Sequence, residues 1–122
     1  MEFQLYQCAH CGNIAYKIYD SGVSLVCCGE QMGAMNANTT DGAREKHVPV
    51  ITRTGAKVTV AVGSVPHPMV EEHYIPIIAA VGEDTVVIKK PKPGDAPLLE
   101  TTLEGKVTAY EWCNVHGYWE GE

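Results

Sequence analysis

The larger, C-terminal part of the chain carries the apolar and polar pattern of β-structure. Lys57-Val58-Thr59-Val60-Ala61-Val62 alternates and puts Val58, Val60 and Val62 on one face. Tyr74-Ile75-Pro76-Ile77-Ile78-Ala79-Ala80-Val81 is a β-rich apolar run, in which Pro76 predicts an edge or a bulge because proline cannot donate to a ladder. Gly82-Glu83-Asp84 predicts a turn into Thr85-Val86-Val87-Ile88. Residues 91–97 hold three prolines and a glycine and predict a loop. Two further strands are expected over residues 98–103 and 106–112, with Glu104-Gly105 as the turn between them. Short strands, frequent Gly and Pro turns and no helical period together predict a mainly β fold, an antiparallel β-sandwich.

The front of the chain differs. Cys8, Cys11, Cys27 and Cys28 fall in the first 28 residues, whereas His47, His67, His73 and His116 all come after residue 40. Residues 33–42 are small, polar and turn-forming, and read as a linker. The expected organisation is a small domain over residues 1–36 and a larger one over residues 37–122. A module of about 36 residues cannot build a sufficient core alone, so it needs a metal or an equivalent staple.

Composition narrows the function classes. A chain of 122 residues that is 45% hydrophobic and 20% charged is not intrinsically disordered. A formal net charge of -6 argues against nucleic acid or an anionic membrane surface as partner. No apolar run approaches the roughly 18 residues of a membrane span. The opening MEFQLYQCAH has neither a basic nor an apolar signal region, so no signal peptide is expected. The expected compartment is the cytoplasm, where thiols stay reduced. Five cysteines, an odd count, then point to metal or catalytic use rather than a disulfide framework.

Cys8-x-x-Cys11 is a knuckle that can bring two sulfurs to one ion, and after fifteen intervening residues Cys27-Cys28 supplies two more. Gly12 and Gly29 follow the two pairs and can take positive φ, turning backbone N–H groups toward the thiolates. Four thiolates suit zinc or a single iron. Adjacent cysteines must splay to reach one ion, so a distorted tetrahedron is expected. Free cysteines or two disulfides are the bland alternatives, and the knuckle spacing argues against both. His10 lies inside the knuckle and is expected to face solvent.

His47, His67, His73, Cys113 and His116 form a second set. Taken singly, each histidine reads equally well as an ordinary surface or core imidazole. Their contexts weaken that reading. His67 is held between Pro66 and Pro68, His73 opens an apolar run, His47 starts a β-like stretch, and Cys113-x-x-His116 repeats the knuckle spacing. All lie near strand ends or in loops, where a sandwich presents functional groups. Four imidazoles and one thiolate are too many for closed tetrahedral zinc and suit a five-coordinate redox iron.

The whole chain resembles the desulfoferrodoxins, the two-iron class of superoxide reductase. The resemblance rests on Cys8-Ala9-His10-Cys11 with Cys27-Cys28, Glu45-Lys46-His47-Val48-Pro49, Pro66-His67-Pro68-Met69, Glu72-His73-Tyr74-Ile75 and Cys113-Asn114-Val115-His116-Gly117-Tyr118-Trp119. It implies a desulforedoxin-like (rubredoxin-like) Fe(Cys)4 first domain and an immunoglobulin-like sandwich with an Fe(His)4(Cys) site. It implies iron in both sites, with His47, His67, His73 and His116 equatorial and Cys113 axial. The implied reaction reduces superoxide by one electron to hydrogen peroxide without releasing dioxygen. Glu45 and Lys46, otherwise a solvated charged pair, are implied to sit beside the open coordination position. Glu45 would fill that position in the ferric form, and Lys46 would attract the anion and orient water for proton delivery. A unit charge about 6 Å away is worth about 3 kcal/mol at an effective dielectric near 20, enough to outweigh a distant, screened net charge. The family also implies a homodimer and a rubredoxin-type electron donor. Two rivals are a two-iron electron-transfer protein without substrate chemistry and a zinc-stapled sandwich that binds another protein.

Overall fold

The computed structural model describes residues 2–40, 47–63 and 68–122. They divide into two units, Glu2–Asn36 and Ala37–Glu122. Among the described residues there is no helix, and all regular structure is β.

The first unit is built from hairpins. Strands β1 (Leu5–Gln7) and β2 (Ile14–Tyr16) pair antiparallel, with β5 (Gly33–Ala34) on the other side of β1. Strands β3 (Val26–Cys27) and β4 (Glu30–Gln31) form a separate hairpin. The buried apolar side chains of this unit are Phe3, Leu5 and Cys8, with the Phe3 and Tyr16 rings 5.0 Å apart. The start of the expected linker is not linker at all. Gly33 and Ala34 pair with Gln7 and Tyr6, and the Met35 N–H donates to the Leu5 carbonyl at 2.9 Å. Small residues look like a break in the sequence, but an edge strand needs only backbone groups to pair.

Among the described residues the second unit holds seven strands: β6 (Pro49–Thr54), β7 (Lys57–Val62), β8 (Ile77–Val81), β9 (Val86–Lys89), β10 (Leu98–Thr102), β11 (Thr108–Cys113) and β12 (Gly117–Gly121). They form two antiparallel sheets, ordered β10-β7-β6 and β12-β11-β8-β9. This is the expected immunoglobulin-like sandwich. Val58, Val60 and Val62 of β7 and Leu99 of β10 share one buried cluster with Ile78 and Ala80 of β8 and Ala109 and Cys113 of β11. The alternation in β7 thus becomes the inner face of one sheet. Strand β8 reads instead as a continuous apolar run because it is covered on both faces: Ile78, Ala79 and Ala80 are all fully buried.

Two expectations change. Pro76 marks neither an edge nor a bulge. It stands immediately before β8, a central strand whose first paired residue is Ile77, opposite Trp112, so its missing N–H costs the ladder nothing. Glu104-Gly105 does not join a hairpin either, because β10 and β11 lie in different sheets. It is a crossover, flanked by buried Leu103 and Val107 and held by Arg53 of β6, whose guanidinium donates to the Leu103 carbonyl at 2.7 Å and to the Gly105 carbonyl.

Strand β12 closes one side of its sheet. Asn38 runs beside it, donating its N–H to the Tyr118 carbonyl and accepting from the Glu120 N–H, both at 2.9 Å. Gly121 at its end passes so close to the Pro49 carbonyl that any Cβ there would collide with it. This close approach draws the beginning of β6, and with it His47, against β12.

Candidate metal centres

The four N-terminal cysteines converge, with sulfurs all within 4.8 Å of one another. Each pair sits at the turn of a hairpin. Cys8 follows β1, and the loop to β2 is closed by the Cys8 N–H on the Asn13 carbonyl at 2.9 Å and the Gly12 N–H on the Cys8 carbonyl at 3.0 Å. Cys27 and Glu30 are paired, leaving Cys28 and Gly29 as a two-residue turn with φ of 52° and 79°. Positive φ at both central residues is the type I′ turn that suits a twisted hairpin. Cys28 is the one non-glycine residue at positive φ among the described residues. That backbone geometry lets two adjacent cysteines turn their sulfurs to one point.

The spacing fits a metal. Four sulfurs each about 2.3 Å from an ion have tetrahedral edges of about 3.8 Å. The Cys11–Cys27 and Cys27–Cys28 sulfur separations, 3.6 and 4.0 Å, bracket that value. The Cys11 N–H donates to the Cys8 sulfur at 3.5 Å and the Asn13 amide to the Cys27 sulfur at 3.7 Å. The backbone N–H groups of Cys11 and then His10 draw the Cys8 thiol down to about 6. Crowding by the Cys11 and Cys8 sulfurs raises Cys27 and pushes Cys28 up to about 12. That crowding disfavours four thiolates without a cation among them, so metal uptake would release protons. His10 is exposed and faces Glu30, 3.2 Å away.

The second cluster sits at one end of the sandwich. Donor atoms of His47, His73, Cys113 and His116 all lie within 4.8 Å of one another. Cys113 is the last residue of β11 and pairs with Gly117, so residues 114–116 form the loop that carries His116. Its sulfur lies 3.9 Å from His116 Nδ1. His73 sits on a tight bend in which Val70 and His73 exchange two backbone hydrogen bonds of 3.1 Å. His47 precedes β6 and its ring stacks on Trp119, with centroids 5.0 Å apart and planes 16° apart. The Trp119 indole N–H also donates to the His116 carbonyl at 3.2 Å, so one side chain braces two of the histidines. Burial is graded across the donors: Cys113 and His47 are buried, His73 is partly buried and His116 is exposed. A thiolate floor and an imidazole rim suit a redox iron that a small anion can reach.

The family model for desulfoferrodoxin matches residues 39–122, and the model for the desulfoferrodoxin N-terminal domain matches residues 1–35. The chain belongs to the desulfoferrodoxin family. It is 48% identical to the desulfoferrodoxin of Nitratidesulfovibrio vulgaris, covering 99% of this chain and 97% of that one. The crystal structure of the superoxide reductase from Treponema pallidum superposes with a TM-score of 0.81 at 32% identity, covering 99% of this chain and 98% of that one. The superoxide reductase (1Fe-SOR) of Giardia intestinalis gives a TM-score of 0.58 at 29% identity, covering 64% of this chain and 96% of its own. Both donor groups fit the two iron sites of the family.

Of the residues singled out in the sequence, the structure brings together Cys8, Cys11, Cys27 and Cys28 in one place and His47, His73, Cys113 and His116 in another. Glu45, Lys46 and His67 lie outside the described residues. The supporting residues were not legible as such. Asn13 and Trp119 act through partners distant in sequence or across a turn, and only Trp119's place three residues after His116 hinted at a link. Apart from the donor Cys8, the first unit buries only Phe3 and Leu5, at about 2 kcal/mol each, and a structural metal, on the order of 10 kcal/mol, outweighs them. Cys11→Ser should therefore strip amide hydrogen-exchange protection from β1 and β2 while β7, β8 and β11 stay protected. Undiminished protection in β1 and β2 would show that this unit stands without its metal.

Proposed function

We propose that the chain is a superoxide reductase. Superoxide, one electron and two protons give hydrogen peroxide, and no dioxygen is released. The observation that carries this is the convergence of three imidazoles and the buried Cys113 thiolate at one end of the sandwich. When bound, the iron supplies the single electron. His47, His73, His116 and Cys113 would hold it, with His67 as the fourth imidazole. Cys113, wholly buried, would keep its negative charge against the metal and push electron density onto it. Trp119, stacked on the His47 ring, would fix the orientation of that imidazole. Exposed His116 marks the side from which a small anion and protons enter.

Glu45 and Lys46 are the proposed catalytic pair. Lys46 would draw superoxide in and orient the water that delivers protons, and Glu45 would compete with other anions for the ferric centre. Catalysis would reside in residues 37–122, and the Fe(Cys)4 unit of residues 1–36 would be accessory. The Giardia relative supports this, since it covers only 64% of the chain and is named a superoxide reductase. Electrons would come from a rubredoxin-type donor in a reducing cytoplasm. No helix among the described residues is long and apolar enough to cross a membrane.

Homodimerisation is supported by the first unit, which exposes Ile18, Tyr19, Val23 and Val26. Apolar side chains at that density on so small a unit call for cover by a second copy. Sedimentation should give twice the chain mass, and a monomer at micromolar concentration would exclude it. Pulse radiolysis of the reduced protein tests the reaction itself. One hydrogen peroxide should form per superoxide, with no dioxygen. Lys46→Ala should slow the second-order step about tenfold and flatten its salt dependence. Dioxygen evolution with half that peroxide yield would mean dismutation, and an unchanged salt profile would remove Lys46 from the mechanism.

A further inference from the structure

Asn114 stands between two of the converging donors, Cys113 and His116, and its hydrogen bonds reach neither. All three go to the chain on either side of His73. Its side-chain Oδ1 accepts the Tyr74 N–H at 2.9 Å. Its Nδ2 donates to the Glu72 carbonyl at 3.3 Å. Its own backbone N–H donates to the Tyr74 carbonyl at 3.2 Å. The residues immediately before and after His73 are thus both gripped by one amino acid on the neighbouring loop.

The chemistry requires an amide. Among short side chains only asparagine offers an acceptor and a donor side by side, which is what the edge of a peptide presents. The ordinary reason for asparagine in a turn is a left-handed backbone, and that does not apply. Asn114 is not among the residues at positive φ. The side chain is exposed, so burial does not explain it either. What the amide does is tie the bend that carries His73 to the loop that carries His116, with Cys113 adjoining.

We propose that Asn114 is a positioning residue for the second metal centre, setting where His73 stands relative to Cys113 and His116. The inference rests on the reading of this cluster as an iron site. Partners of this kind alter metal affinity about 10- to 100-fold when removed. In Asn114→Ala the bend at residues 70–73 keeps its own two hydrogen bonds but loses its tie to the His116 loop. His73 then samples positions away from the shared point, and the metal leaves faster.

The test follows release of ferrous iron from the intact two-iron protein to an excess of chelator, alongside the electron paramagnetic resonance of the ferric form. The Fe(Cys)4 centre of the same molecule is the internal control. Asn114→Ala should release the imidazole-bound iron at least about tenfold faster, change the rhombicity of its ferric signal, and leave the thiolate-bound iron unaffected. Asn114→Asp keeps the acceptor for the Tyr74 N–H and loses the donor to Glu72, so its rate should fall between wild type and Asn114→Ala. A wild-type release rate and signal in Asn114→Ala would overturn the proposal. Should that variant not fold, a wild-type rate in Asn114→Asp would overturn it equally. A wild-type protein that binds iron only through its four N-terminal thiols would instead overturn the reading of the cluster, and this inference with it.

Discussion

The antiparallel register of β11 against β12 is the constraint on which the second metal centre depends. It sets Cys113 opposite Gly117, and three residues are left to make the loop between them. Cys113 ends the strand on its inner, buried face, so its sulfur is sunk into the core cluster. His116 is then delivered three residues later, at the exposed tip of the same loop. Two residues past Gly117, Trp119 faces His47. A slip of one residue would turn Cys113 to the outer face and carry Trp119 away from His47. Sandwich packing, buried thiolate and exposed imidazole are therefore one decision rather than three.

The two units solve the problem of holding a metal in opposite ways. The sandwich owns a packed interior of valine, isoleucine, leucine and alanine, and the donors are placed on its rim by an already rigid frame. The N-terminal unit has hardly any interior, and its donors are brought together by two short hairpin turns. One of those turns puts Cys28 in a left-handed backbone conformation that a non-glycine residue rarely adopts. Strain of that kind persists where something else over-determines it, and four sulfurs around one cation do so. For the sandwich the metal is cargo of a finished fold. For the N-terminal unit it is part of the fold.

Much of this was legible in the sequence, and the exceptions have physical reasons. Cysteine pairs at knuckle spacing and the alternation of β7 are local signals, and both are realised. The convergence of His47 and His73 with Cys113 and His116 is non-local. It was legible through family resemblance rather than through spacing. The glycine-bounded strand β12 and the edge strand β5 were missed because glycine and small residues read as breaks, while pairing needs only backbone groups. Pro76 misled for a related reason: position relative to the first paired residue, not presence in an apolar run, decides whether proline harms a ladder. Asn114 was visible only as a letter in a motif. Its work lies across forty residues of chain, at Tyr74 and Glu72, and no periodicity reports such a tie.

The central claim is that this chain carries two separately built iron centres, one of thiolates alone and one of imidazoles with a single thiolate. Mössbauer spectroscopy of protein enriched in the iron isotope it detects addresses both at once. Two quadrupole doublets of equal area are predicted, one characteristic of tetrahedral iron among four sulfurs and the other of iron with a mixed nitrogen and sulfur shell. A single doublet, or a colourless protein holding zinc in place of iron, would contradict the account.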